Sequence, residues 1–401
     1  MTDTLGVYIS VPFCRAKCTY CNFASGVFSA DRMDAYVDRL CTEITELRGR
    51  VEVLRAELPR RVDSVYLGGG TPSLLSAEQL GRVFAAVRET FDLIADAEIT
   101  LECAPGQLGD PTLQALLQQG MNRVSFGVQS FVDAESRAVG RLHTRQVCLE
   151  EIERLRRAGV QEINVDLIVG LPGQTAESWR ESVDVAIATG APHISMYMLE
   201  VDEDSRLGRE ILGAGSRYGA GKVPEEDSIA EWYHAASEWL EQAGVHQYEI
   251  SNFAREGHSS HHNLKYWKRD PYVGFGLDAH SMLGGTSEVL RLANPSDLDV
   301  YLGSVAQTGL PMLGAQIAVE RIDREGQFEE SIFLGLRMNE GVSLTRLREE
   351  FGEGLVDSLN EPLRELREAG LIEHHRDHLR LTMRGRMASN EVFSRLLVVP
   401  A

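Results

Sequence analysis

Between residue 5 and about residue 250 the chain alternates short apolar β-type runs with longer segments of helical period, and few folds accept that alternation. The strand candidates are VYISV, SVYLGG, EITLEC, RVSFGVQ, INVDLIVG and HISMYML, and amphipathic stretches over 31–48, 77–91, 147–158 and 177–189 lie between them. Six βα units whose strands read as apolar on both faces predict a parallel sheet covered by helices. Periodicity alone leaves a doubly wound sheet open. Closure into eight strands needs two further units that the sequence does not show, so a partial (β/α)6 TIM-like barrel is the expected architecture.

The polar and glycine-rich residues fall just after these strands. Three cysteines follow the first, GGGTP follows the second, and Glu102 ends the third; Gln129 ends the fourth, Asp166 lies within the fifth and Glu200 ends the sixth. Ligands of parallel α/β folds bind at the carboxyl ends of the strands, so this shared placement predicts a site there.

Cys14, Cys18 and Cys21, in VPFCRAKCTYCNF, form a C-x3-C-x2-C cluster. Thiolates this close on an irregular loop can converge on one metal centre. Structural zinc takes four ligands, and Asn22 and Phe23 follow Cys21 directly. A 4Fe-4S cubane held by three thiolates leaves one iron open to a small molecule. That is the favoured reading, with zinc completed by a distant ligand, or three idle thiols, as the alternatives. Cys41 and Cys148 read as buried structural thiols. Six cysteines so unevenly placed do not make a disulfide framework.

Beyond Glu200, residues 202–224 read as a Gly- and charge-rich loop and 225–243 as a helix with Trp232, Tyr233 and Trp239. A segment dense in His, aromatics and Gly follows. From Gln327 onward, helix, short strand, charged turn, strand and helix predict a smaller α+β, winged-helix-like domain. The expected division is 1–245 for the barrel, 246–325 for a connecting segment that completes the site, and 326–401 for the C-terminal domain. Forty basic against 60 acidic residues give a net charge of −20, which argues against a nucleic-acid surface even for a winged-helix-like module. No apolar run approaches the ~20 residues that span a bilayer, and MTDTLGVYIS lacks the features of a secretory signal. A cytoplasmic protein is expected, with peripheral membrane contact left open.

The C-x3-C-x2-C loop, GGGTP, VSFGVQSF, INVDLIVGLPGQT and HNLKYW, in this order, resemble the radical S-adenosylmethionine (SAM) superfamily, and within it the coproporphyrinogen-oxidase-like family. The resemblance implies a 4Fe-4S cluster on Cys14, Cys18 and Cys21 whose open iron SAM chelates. It implies SAM contacts at Tyr8, Tyr20, Gly69, Gly70, Thr71 and Glu102, and at Gln129, Arg141 and Asp166 for a second SAM molecule. Glu200 and His280 fall on further SAM positions with differing residue types. Taken by themselves, Gly69 and Gly70 read equally as a tight βα turn, and Glu102 and Asp166 as solvated or capping carboxylates.

Two departures separate the chain from the oxidases. Phe23 stands where they carry an extra cysteine, and only seven residues precede Tyr8. HNLKYW, with His262, Asn263, Tyr266 and Trp267, is similar to the signature of the family's heme-chaperone branch, which implies heme contact at His262. From residue chemistry alone His258, His261 and His262 are more often solvated loop histidines. The first expectation is a heme chaperone that passes heme to acceptor proteins such as respiratory enzymes. The alternatives are an oxygen-independent coproporphyrinogen III oxidase and a radical SAM enzyme of unknown substrate.

Overall fold

In the computed structural model, which describes residues 3–285, 288–303 and 318–397, the six expected strands form as β1 (Thr4–Val11), β2 (Arg61–Gly69), β3 (Asp92–Cys103), β4 (Arg123–Gln129), β5 (Glu162–Val169) and β6 (His193–Met198). They lie side by side in chain order, all parallel. The helices Ala30–Leu54, Ala77–Thr90, Arg145–Arg157 and Ala176–Ala188 fall where expected. Side-chain oxygens cap the last three: Ser76 and Thr175 in capping boxes, Thr144 on the Val147 amide.

The strands are not apolar on both faces. Val65 and Leu67, Ile99 and Leu101, Val124 and Phe126, Ile163 and Val165 face the helices and join one large core. The residues between them point into the barrel and are polar: Ser64 and Tyr66, Thr100 and Glu102, Ser125, Asn164 and Asp166, His193 and Ser195. Ser64, Ser125, Asn164, His193 and Ser195 are buried, and they survive burial through hydrogen bonds to one another and, for Ser64, to His262. Asn164 is the hub. Its Nδ2 donates to Ser125 Oγ (2.7 Å), Asp166 Oδ1 (2.6 Å) and Ser195 Oγ (2.9 Å), and its Oδ1 meets His193 Nδ1 at 2.6 Å.

The sheet is also wider than six strands. Tyr272–Phe275 adds parallel to β1 on one edge, and His280–Gly285, Val289–Ala293 and Ala318–Ile322 continue outward antiparallel. On the other edge Asn252–Ala254 pairs antiparallel with β6, and His246–Gln247 pairs with it in turn. The expected 202–224 loop contains a helix, Arg206–Leu212, and a 3-10 segment, Arg217–Lys222. The helix Glu226–Gln242 forms as expected.

A second core, around Phe328, Ile332, Leu347, Leu366, Leu379 and Val392, builds the C-terminal module. Its helices enclose a small sheet of Val342–Ser343, Ile372–His375 and His378–Leu381, the last two closing the charged hairpin. Ile250 joins this core from the barrel side, and its amide donates to Arg337 O at 3.0 Å. Among the described residues no helix is long and apolar enough to cross a membrane.

Candidate functional site

β1 ends at Val11, and Pro12 turns the chain into the cysteine loop. The Gly26 amide donates to Pro12 O (2.9 Å) and the Cys14 amide to Gly26 O (2.8 Å), closing the base of the loop. Its middle is pinned from both sides. The Thr19 amide donates to Val139 O (3.1 Å), beyond β4, and the Leu207 amide, beyond β6, donates to Thr19 O (2.8 Å). The loop therefore folds across the carboxyl-end mouth of the barrel.

Cys14, Cys18 and Cys21 are free thiols on this loop. Each sulfur has a polar neighbour: Thr71 Oγ1 lies 3.9 Å from Cys14, Arg141 Nη1 3.4 Å from Cys18, and Ser25 Oγ 4.0 Å from Cys21. Burial raises the Cys21 thiol above its ordinary pKa, so a cationic metal centre is the natural partner for its thiolate. Among the described residues no three His, Cys, Asp or Glu side chains converge on a single ion. A cubane asks for less convergence, because each thiolate binds a different iron. Three free cysteines with N–H and O–H donors at their sulfurs suit such a cluster.

GGGTP crosses directly beneath the loop. Gly69 sits at φ +100°, a conformation that favours glycine. Its amide donates to Glu102 Oε2 at 3.0 Å, and the Gly70 amide to Val11 O at 2.8 Å. A Cβ on Gly70 would stand 2.8 Å from Phe13 O and 2.9 Å from Val11 O, so this glycine lets the two strand exits pack backbone to backbone.

Glu102 on β3 and Asp166 on β5 lie one strand apart, close enough for their charges to interact. Burial pushes the Glu102 pKa up to about 7; the Tyr66 hydroxyl (2.9 Å) and the Gly69 amide oppose that rise, while the negative Asp166 reinforces it. Asp166 is pushed up to about 6 by burial, against hydrogen bonds from Ser195, Asn164 and Ser125. Both carboxyls therefore titrate close to neutrality, where a cationic ligand can hold them ionised. Arg141 donates to Gly127 O as well as to the Cys18 sulfur. Gln129 ends β4 at φ 69°, an uncommon conformation for a side-chain-bearing residue. Tyr8 stacks on Tyr66 at 6.0 Å, and Tyr20 packs with Val139, Ile168 and Leu171. Glu200 and His280 are exposed, with no hydrogen bond or ion pair to this group.

His262 is not on a loop. Ser260 caps the helix His261–Lys268, and Glu98 accepts both the His261 amide (3.0 Å) and the His262 amide (2.9 Å). The imidazole is 1% exposed, with Nδ1 2.9 Å from Ser64 Oγ and Nε2 2.9 Å from Tyr266 OH. Burial lowers its pKa to about 4, so the ring is neutral with both nitrogens engaged. One turn on, buried Lys265 pairs with Asp63 at 2.9 Å. The sequence reading missed Ser64, Tyr66, Asn164 and His193. The polar–apolar alternation within SVYLG, INVD and HISMY was the signal for them.

Residues 8–186 match the radical SAM superfamily model, and residues 322–388 match the HemN C-terminal domain model. The chain is 34% identical to the heme chaperone HemW of Bacillus subtilis over 391 residues, covering 97% of this chain and 98% of that one. It is also 34% identical to the mitochondrial radical S-adenosyl methionine domain-containing protein 1 of Mus musculus over 341 residues, covering 84% and 74%. Coproporphyrinogen III oxidase (HemN) from Escherichia coli shares the fold, with a TM-score of 0.82 and 23% identity over 98% of this chain and 90% of that one. A 4Fe-4S cluster and SAM are the cofactors of this superfamily, and the free-cysteine loop above two near-neutral carboxyls accommodates both. The chain belongs to the radical SAM superfamily and, within it, to the HemW family.

Proposed function

We propose that this protein is a heme chaperone of the radical SAM type, which binds heme and passes it to acceptor proteins in the cytoplasm or at the membrane face, respiratory enzymes among them. Support comes from end-to-end similarity to proteins named heme chaperone, together with a mouth that keeps the cluster-and-SAM architecture. Cys14, Cys18 and Cys21 would hold the cluster, with Arg141 and Thr71 donating to sulfur. With SAM bound, the cluster would supply one-electron cleavage of the sulfonium. Glu102 would accept from the cationic, N–H-bearing end of SAM, and Tyr8, Tyr20, Gly69, Gly70 and Thr71 would shape its seat. Gln129, Arg141 and Asp166 would meet a second SAM molecule, and Glu200 and His280, both exposed, would reach either molecule only from outside.

Phe23, 61% exposed on the cysteine loop, stands where the oxidases carry their extra cysteine, which favours the chaperone over coproporphyrinogen turnover. A heme contact at His262 would require the helix His261–Lys268 to swing out and the Tyr266 bond to break. Titration of hemin into the purified protein tests the binding itself. A saturable Soret change at about one heme per chain is expected, and its absence in cluster-loaded and cluster-free protein alike would overturn the proposal.

A further inference from the structure

The HNLKYW segment and the SAM seat lie at different depths of the barrel, yet an unbroken set of contacts joins them. The His262 ring stacks on Tyr66, with centroids 5.2 Å apart and planes 28° from parallel. Tyr8 closes the other side, 6.0 Å from Tyr66 and 6.5 Å from His262. The imidazole cannot rotate, because Ser64 Oγ holds Nδ1 and Tyr266 OH holds Nε2. Tyr266 is fixed in turn by an edge contact to Tyr272 at 4.6 Å, on the strand that extends the sheet beside β1. At the top of the stack Tyr66 OH donates to Glu102 Oε1 at 2.9 Å, while Gly69 N–H takes the other carboxylate oxygen. Tyr66 has no other hydroxyl partner among the contacts described, so its ring position decides whether this bond forms.

We propose that His262 is a positioning residue of the SAM seat: it holds the Tyr66 phenol against Glu102 and so orients the carboxylate that receives SAM. This rests on the assignment of Glu102 as a SAM contact made above. It gives the histidine of HNLKYW a role that a buried ring with both nitrogens engaged can perform. The chemistry follows from charge. A phenol O–H donated to a carboxylate stabilises its ionised form, and the Gly69 amide does the same. The groups facing Glu102 are Tyr66 and Gly69 on β2, Tyr8 on β1, Asp166 on β5, Tyr197 on β6 and Tyr266 on the helix His261–Lys268, of which only Asp166 is charged near neutrality and raises the Glu102 pKa. Without the phenol, Glu102 stays protonated to higher pH and receives a cationic ligand less well.

The experiment is anaerobic equilibrium dialysis of SAM against cluster-reconstituted full chain from pH 6 to 8.5, with iron content and melting temperature measured on every variant. Glu102→Gln is expected to weaken SAM binding roughly tenfold or more, and Tyr66→Phe and His262→Ala roughly three- to tenfold each. The latter two should also move the pH midpoint of binding upward. His262→Gln, which can bond both Ser64 and Tyr266, should restore most of the affinity. His262→Ala added to Tyr66→Phe should cost nothing beyond Tyr66→Phe alone. If Glu102→Gln leaves SAM affinity unchanged, the assignment of Glu102 fails and the inference goes with it. If Glu102→Gln weakens binding while His262→Ala, at full iron, changes neither affinity nor pH midpoint, the assignment stands and the inference is overturned. Additive losses in the double variant would likewise overturn it.

Discussion

Replacing Gly70 by alanine probes the crossing that seats the cysteine loop. The added Cβ meets three backbone atoms, Phe13 O at 2.8 Å, Val11 O at 2.9 Å and Phe13 N at 3.0 Å. None is the end of a flexible side chain that could swing aside. The residues forced apart are the last of β1 and the first of the cysteine loop, one residue before Cys14. Overpacking of this kind costs about 1–3 kcal/mol. At about 2.1 cal/mol/K of unfolding entropy per residue, a chain of 401 residues loses about 1–4 °C in Tm. Iron bound after anaerobic reconstitution should fall further than Tm suggests, because the strain lands on the loop carrying the ligands. Gly81 is the control: it lies within the Ala77–Thr90 helix with open space around its Cβ position. Alanine there should stabilise by about 0.5–1 kcal/mol and leave iron binding alone. Gly70→Ala protein with full iron and an unchanged Tm would refute the reasoning.

Glu102 and Asp166 have folded pKa values above their unfolded ones, about 7 and about 6. The folded state therefore holds these protons longer, and its stability falls as pH rises from about 4 toward 7. Glu102→Gln should flatten the profile of Tm against pH in that window; an unchanged slope would show that Glu102 is not the desolvated group described. Lys265→Met leaves buried Asp63 with only the half-exposed His261, 3.6 Å away, beside it and should cost about 3–5 kcal/mol, much of it recovered in Lys265→Met/Asp63→Leu, as read by denaturant titration. A loss below about 1 kcal/mol would mean that the pair is solvated. Asn164→Ala removes one hydrogen bond from each of Ser125, Asp166, Ser195 and His193 and should cost about 2–4 kcal/mol, whereas a neutral result would mean that water replaces the hub.

The alternation of runs carried the six parallel strands and their helices, because each outward strand face is a short apolar stripe that only a helix covers. The inner faces were harder. Buried Ser64, Thr100, Ser125 and Ser195 look unremarkable one at a time, and only their common parity along neighbouring strands marks a polar lumen. The strand Tyr272–Phe275, between β1 and His280–Gly285, was hidden in a His- and Gly-rich segment, although YVGF directly after Pro271 is a β-type run. Residue chemistry alone puts His262 in a solvated loop, because Gly257, Ser259 and Ser260 precede it, and only the family resemblance marks it as a ligand position; Ser260 is in fact the cap of a helix that carries the buried imidazole. The cysteine loop and GGGTP were legible from spacing, since ligand number and backbone crossing act over a few residues. The link from His262 through Tyr66 to Glu102 was not, because it joins positions far apart in the chain.

The central claim is that this chain keeps the cluster and SAM seat of a radical enzyme but handles heme instead of turning over a porphyrin. The direct measurement is an anaerobic incubation of cluster-loaded protein with SAM, a reductant and coproporphyrinogen III, followed by chromatography for porphyrins and 5′-deoxyadenosine, with heme binding titrated on the same preparation. The account predicts saturable heme binding and no protoporphyrinogen. Conversion of coproporphyrinogen by protein that carries Phe23 in place of the extra cysteine would contradict it and make the chain an oxidase.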